Sequence, residues 1–482
     1  MSAPTLLLAA GLGALLLALH LLERRVTGAS GARPPGARWA SGRDLRALRL
    51  RAPRKGRLIL GRRGRALIAA EERASVMVVA PAQSGKTTGL AIPALLEWEG
   101  PALATSVKSD LLRDTLPRRR ALGQAMVFDP TQATGIAGVH ATPLSGCGDW
   151  RGAMRVAHWL AASARSGAGG LEDAEFWYAA AEKLLAPLLF AASSGEREMA
   201  DVIRWLNEGN SAKEEVRECL REAGDAEALG AFRASLARDK RQRSSIYTTA
   251  ETIVAAYSDP RVLDAASHAD YTPAKLLDGG ASTLYLCAPA HEQERLRTVF
   301  ATMICELVAE VYERSSRTGK PIDPPLLIVL DEAANIAPIP NLDEIASTGA
   351  GQGIQLLSVF QDLAQLHSRY GERAKTIVNN HRAKLFGTGI SDPQSLDYVR
   401  RVTGSAEFSQ RSRTAGQKGQ RSTTEATTYR DLAPANLVRE AEPGTALLLY
   451  GHLPAARLRL RPWYAERKLR ALARADSQGA PR

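Results

Sequence analysis

Within the stretch Ala80-Pro81-Ala82-Gln83-Ser84-Gly85-Lys86-Thr87-Thr88 lie the groups needed to hold a polyphosphate. An apolar run, Val76 to Val79, leads into it, and an apolar helical pattern through Leu96 follows, which is the strand, loop and helix context a P-loop requires. In that geometry successive loop amides and the helix N-terminus point at the phosphates. Gly85 lets the backbone come close, Lys86 neutralises charge on the β and γ groups, and Thr87 offers a hydroxyl to Mg²⁺. Pro81, Ala82, Gln83, Ser84, Gly85, Lys86, Thr87 and Thr88 are therefore the expected binding set for ATP with Mg²⁺. Ala80 stands where the motif usually has its first glycine.

A second half of the site is expected far downstream. Leu326 to Leu330 is a buried-strand run that ends in Asp331-Glu332. Asp331 there can hold the water shell of Mg²⁺, and Glu332 can activate the attacking water. An acid pair at a strand end is common and usually solvated; with the P-loop upstream it becomes specific.

These groups need a sheet to bring them together. Apolar runs bounded by turn residues occur at 76–79, 102–105, 125–128, 283–287, 326–330, 355–359, 384–386 and 446–449, with helical patterns between several of them. This predicts an α/β fold with a mostly parallel central sheet covered on both faces. Between about Trp150 and Asp270 only helical stretches rich in Ala, Leu, Glu and Arg occur, and they read as an inserted all-α domain. Ser405 to Thr428 is a Ser/Thr/Gln/Arg/Gly mixture and reads as a mobile surface loop, with a nucleic-acid-facing role for Arg411, Arg413, Lys418 and Arg421 as the alternative.

The net charge of +12 points to a polyanionic partner, nucleic acid or an anionic membrane surface. Much of the excess lies between Arg24 and Arg73, directly after the uncharged Leu6 to Leu22. As a helix that apolar run is roughly 25 Å long, enough for a thin bilayer. With no basic start before it and Arg24-Arg25 after it, an uncleaved anchor with a cytoplasmic body is expected rather than a signal peptide. Cys147, Cys219, Cys287 and Cys305 form no CxxC or Cys/His pattern, which argues against both zinc and a disulfide framework.

Beyond these local readings, the chain resembles the coupling-protein ATPases of conjugation and type IV secretion, the TraG/TraD kind. The resemblance is carried by Pro81 to Thr88, Ile92 to Leu96, Lys108-Ser109-Asp110, Phe176-Trp177, Tyr450-Gly451-His452 and above all Asp331 to Gln365. It implies a RecA-like motor domain in a membrane-anchored, hexameric ring. Such a ring recruits relaxase-bound DNA, expected single-stranded, or protein substrates to the inner-membrane parts of a secretion channel. It also implies that Gln361 senses the γ-phosphate. Two departures stand out: Ala350 occupies a position where many members carry an arginine that reaches a neighbour's nucleotide, with Arg382 as a substitute, and one span replaces the usual two.

The expected organisation is an anchor over 1–25, a basic linker over 26–57, a discontinuous RecA-like domain over 58–149 and 271–465, the all-α domain over 150–270 and a basic tail over 466–482. The alternatives are an FtsK-like double-stranded DNA translocase and a nucleotide-binding membrane receptor with little hydrolysis. Lys240, Arg241 and Arg243 form a basic cluster on the insert, read chiefly as a solvated helix face.

Overall fold

The structure, a computed structural model, describes residues 36–106, 109–165, 172–336, 339–415 and 421–474. The chain divides into two units, the larger running from Ala40 to Tyr398 and resuming at Ala435, the smaller centred on Val399–Pro434. Leu6 to Leu22 and Lys108 lie outside the described residues, and among those described no helix is long and apolar enough to cross a membrane.

The strands of the larger unit are β1 (Arg49–Leu50), β2 (Ile59–Arg63), β3 (Ala66–Ala69), β4 (Val76–Val79), β5 (Ala102–Ser106), β6 (Ala125–Phe128), β7 (Thr283–Cys287), β8 (Leu326–Leu330), β9 (Ile354–Phe360), β10 (Ala383–Gly387), β13 (Thr445–Tyr450) and β14 (Leu453–Arg459). They form one sheet in the order β1-β3-β2-β14-β13-β10-β4-β9-β8-β5-β7-β6. From β10 to β6 every neighbouring pair is parallel. These parallel strands are the apolar runs read from the sequence, and β4, β5, β7, β8 and β9 are buried along their whole length, as strands covered on both faces must be. The remaining apolar run, β13, pairs antiparallel with β10 and opens an antiparallel extension.

That extension draws on residues expected to be linker. Leu45 and Leu48 are 1% exposed and pack in the same core as Val76 and Val78, so residues 40–57 belong to the folded body. Arginines mask the pattern: in β2 the apolar Ile59 and Leu60 precede Arg62 and Arg63. At the other end, part of the expected tail folds as the helix Arg467–Ala473, whose Leu469 is completely buried beside Leu95 and Leu116.

From Trp150 to Ala265 the described residues form helices and no strands. Aspartates start many of them: Asp149, Asp225, Asp239 and Asp259 each accept a backbone N–H of the first turn, at 2.6, 2.9, 2.9 and 2.8 Å. The helix Lys240–Ile253 carries the basic cluster, with Lys240 and Arg241 exposed and Arg243 donating to the Leu236 carbonyl at 2.7 Å. The returning chain meets the outgoing one where Asp270 and Tyr271 N–H groups both donate to the His140 carbonyl, at 3.0 and 3.1 Å.

In the smaller unit, the segment expected as a loop is a hairpin: β11 (Ser405–Ala415) pairs with β12 (Arg421–Asp431) in unbroken register from Ser405↔Asp431 to Ala415↔Arg421. Thr423, Thr424, Thr427 and Thr428 supply β-branched residues that favour extended backbone without marking an apolar face. Arg411 and Arg413 lie on β11 and Arg421 on β12, while Lys418 falls outside the described residues.

Candidate nucleotide site

The order β10-β4-β9-β8 places the C-terminal ends of β4, β9 and β8 side by side. Val79 is level with Phe360, and Leu330 with Ser358. The P-loop, Gln361 and Asp331-Glu332 therefore emerge at one edge, where open parallel sheets bind ligands.

The loop keeps a backbone suited to that role. Gln83 and Gly85 have φ of 62° and 83°, and the alternation lets loop N–H groups turn inward. Ser84 and Lys86 are buried, and Lys86 Nζ donates to the Ala80 carbonyl at 3.1 Å. Ala80 is accommodated by a neighbour: a Cβ on Gly387, at the end of β10, would lie 2.7 Å from Ala80 Cβ. The space that a first glycine would leave in the loop is supplied here by Gly387.

After the loop the helix begins with a π turn, Thr87–Ala91, before its α-helical part, Ile92–Glu97. Ile92 N–H donates back to the Thr87 carbonyl, which leaves the Thr88 carbonyl without its α-helical donor. The Gly89 carbonyl lacks one as well, because Pro93 has no N–H. Both are satisfied from the C-terminal segment: Trp463 N–H reaches Thr88 at 3.0 Å and Arg461 N–H reaches Gly89 at 3.3 Å. Arg461, 4% exposed, is fixed in turn by bidentate bonds to Glu97 at 2.9 and 2.8 Å and by Glu466 at 3.0 and 2.8 Å.

Across the cleft Asp331 Oδ2 accepts the Thr87 hydroxyl at 2.9 Å, and its main-chain carbonyl accepts the Thr105 hydroxyl at 3.1 Å. Burial pushes the Asp331 carboxyl up to about 6; the Thr87 bond and the Lys86 ammonium oppose this, and the Glu332 and Asp110 charges reinforce it. Asp331 Oδ1 and Ser84 Oγ are buried without a hydrogen-bond partner. A buried carboxylate oxygen and hydroxyl left unpaired beside a lysine is the donor set that a hydrated Mg²⁺ and a phosphate complete.

Glu332 adopts φ 59°, a left-handed conformation that costs a non-glycine residue about 1–3 kcal/mol and recurs at functional sites. Its carboxylate is held by a relay absent from the sequence reading. Asn335 Nδ2 donates to Glu332 Oε2 at 3.3 Å, Gln365 Nε2 donates to Asn335 Oδ1 at 3.0 Å, and Gln361 N–H donates to Gln365 Oε1 at 3.0 Å. Asp362 anchors the far end by capping the helix Leu363–Tyr370. The spacings were the available signal: Asn335 lies three residues after Glu332 and Gln365 four after Gln361, one helical turn in each case.

Arg382 does not join this cluster. It precedes β10 and bonds Glu71 at 3.2 Å over the Tyr450 ring, next to Ala383, which is level with Val76 at the start of β4. Within the chain it thus lies at the opposite edge of the strands from the P-loop. Ala350 sits in the helix Leu342–Gln352, ahead of β9.

The strand order and the loop-helix junction define a RecA-like P-loop NTPase fold. A profile of the type IV secretory system conjugative DNA transfer family matches residues 39–471, and the chain belongs to this family of type IV coupling proteins. It is similar to the conjugal transfer protein TraG of Escherichia coli, 26% identical over 68% of this chain and 54% of TraG. It is also similar to VirD4 of Agrobacterium fabrum, 24% identical over 90% of this chain and 66% of VirD4. The chain thus spans about half the length of the TraG relatives it matches. Among solved structures, the unbound bacterial conjugative coupling protein TrwBdeltaN70 superposes with a TM-score of 0.67 at 18% identity, covering 89% of this chain and 93% of that one. The plasmid coupling protein TrwB in complex with ADP and Mg²⁺ gives 0.65 at 16% identity, covering 89% and 94%.

Proposed function

We propose that this protein is an ATP-hydrolysing coupling protein that drives DNA, most simply a relaxase-bound single strand, toward a type IV secretion channel. The observation that carries the reading is the Thr87–Asp331 bond beside the unpaired Asp331 Oδ1, which joins the two distant halves of a Mg²⁺-nucleotide site. TrwB, solved with ADP and Mg²⁺, lends support at the level of the fold.

In this reading Thr87 and Asp331 hold the Mg²⁺ shell, and the ion when bound neutralises charge on the β and γ phosphates. The loop amides from Ala82 to Thr87 and the Lys86 ammonium bind the phosphates, Lys86 exchanging its Ala80 carbonyl for phosphate oxygen. Glu332, fixed by Asn335, takes the proton of the attacking water, and Gln361 orients that water against the γ-phosphate. Assembly as a homo-hexamer, anchoring by Leu6 to Leu22 in the inner membrane, and contacts with channel components there complete the proposal; the net charge of +12 suits a polyanionic cargo.

The test is conjugal transfer with the gene deleted and then restored as wild type or Lys86→Ala. Restoration by wild type alone is expected; transfer that is unchanged on deletion removes the DNA-coupling role. Stimulation of hydrolysis by single-stranded over duplex DNA is expected, and the reverse preference favours a double-stranded DNA pump.

A further inference from the structure

The helical insert leaves and rejoins the motor through two connectors that carry His140 on one side and His268 and Asp270 on the other. We infer that these three side chains form a binding site for a divalent transition metal of the zinc type, clamping the base of the insert. One donor atom from each lies within 4.8 Å of the other two. Asp270 Oδ2 is 2.8 Å from His140 Nδ1 and 3.4 Å from His268 Nε2. Tetrahedral zinc, with bonds of about 2.0–2.2 Å, sets neighbouring donor atoms about 3.4 Å apart, so the two separations to Asp270 lie within about 0.6 Å of that value and the two histidine donors close by about 1.4 Å at most.

The cluster is framed by backbone. His140 N–H donates to Asp270 Oδ2 at 3.1 Å, Asp270 and Tyr271 N–H groups donate to the His140 carbonyl, and Ala141 N–H donates to the Ala265 carbonyl at 2.8 Å. Ser267 Oγ lies 3.0 Å from His268 Nδ1, which occupies that nitrogen and turns Nε2 toward Asp270. The two imidazoles stack 3.9 Å apart. Such support for the outer nitrogen of a ligand histidine is the usual companion of a metal site. His268 and Asp270 are exposed, so water has access to the fourth position. The nearby Lys275 ammonium, held by the Ala269 and Asp270 carbonyls, opposes a cation and argues for moderate rather than tight affinity.

Binding replaces the His140–Asp270 hydrogen bond with a metal bridge between the outgoing and returning chains and so stiffens the insert against the motor. Spacing concealed the site, since 128 residues separate His140 from His268 and a reading built on cysteine patterns argued against zinc. All four cysteines are buried and do not compete.

The experiment is calorimetric titration of Zn²⁺ into the full-length chain in detergent micelles. The protein is purified without a polyhistidine tag and stripped with chelator, and excess Mg²⁺ is present to occupy the nucleotide site. One saturable site is expected, its affinity reduced at least tenfold in His268→Ala and in His140→Ala and retained in Lys86→Ala. Co²⁺ is expected to give the visible absorption of a tetrahedral site in wild type and to lose it in both histidine variants. No saturable event, or an isotherm unchanged by the histidine substitutions, overturns the site and leaves the nucleotide reading intact.

Discussion

Thr87 Oγ1 donates a 2.9 Å hydrogen bond to Asp331 Oδ2 across 244 residues of chain. The sheet order sets β4 and β8 on either side of β9, so that the two strands end at the same edge. In the proposed mechanism these are the two side chains that would hold the hydrated Mg²⁺.

The relay behind Glu332 predicts a separable effect. Asn335→Ala removes the donor that holds Glu332 Oε2 but touches neither the P-loop nor Asp331. Steady-state ATPase measurements are expected to show kcat lower by roughly tenfold with KM within about twofold. A change confined to KM would place Asn335 in ground-state binding instead.

Ala80 and Gly387 form a complementary pair. Gly387→Ala places a methyl group 2.7 Å from Ala80 Cβ, and overpacking of this kind costs about 1–3 kcal/mol. Denaturant unfolding is expected to show that loss, and Ala80→Gly added to Gly387→Ala is expected to recover most of it. Strict additivity of the two substitutions would contradict the pairing.

Arg461 locks the C-terminal segment onto the P-loop helix. Its removal leaves the half-buried Glu97 and Glu466 carboxylates without their shared cation; the Arg461 and Arg62 guanidinium groups overcome burial and hold Glu466 down at about 2. Arg461→Ala is expected to cost about 2–4 kcal/mol in thermal or urea unfolding, the upper values being discounted because Glu466 is partly solvated. It is also expected to weaken nucleotide binding, since Arg461 and Trp463 cap the π turn. Unfolding indistinguishable from wild type would mean that the segment is merely apposed.

Glu306, buried in the helix Gln293–Thr318, is pushed by burial up to about 8, with Arg155 opposing, from an ordinary 4.5. The folded-state value is raised. The group's contribution to stability is therefore fully present below about 4.5 and lost as pH rises through about 8. Glu306→Gln, a neutral near-isostere, removes that loss. Its unfolding free energy relative to wild type is expected to be flat at low pH and to climb between about pH 5 and pH 8, by up to ~1.4 kcal/mol per pH unit. A constant difference across that range would show that Glu306 does not titrate there.

The parallel half of the sheet was legible because strands buried on both faces read as unbroken apolar runs, and Val76–Val79 or Leu326–Leu330 can hardly be anything else. Beyond β13, the antiparallel extension was not. Its strands are short and carry Arg49, Arg62, Arg63, Arg457 and Arg459, so charge composition concealed Leu45, Leu48 and Leu458 as core. The hairpin from Ser405 to Asp431 escaped for the opposite reason: hydroxyl-rich strands offer no apolar alternation. At the candidate site, the placement of Lys86, Thr87, Asp331 and Glu332 at neighbouring strand ends was readable from motif and strand context. Asn335, Gln365 and Arg461 act through Glu332 or the π turn, and only the folded chain brings them there.

The most direct test of the central claim is ATP turnover by the purified full-length chain in detergent or nanodiscs with Mg²⁺, compared with Lys86→Ala and Glu332→Gln. The account predicts measurable hydrolysis in wild type, loss of nucleotide binding in Lys86→Ala, and binding retained with kcat reduced by roughly 10²–10⁴ in Glu332→Gln. Nucleotide binding by wild type with no turnover above that of Glu332→Gln would contradict it.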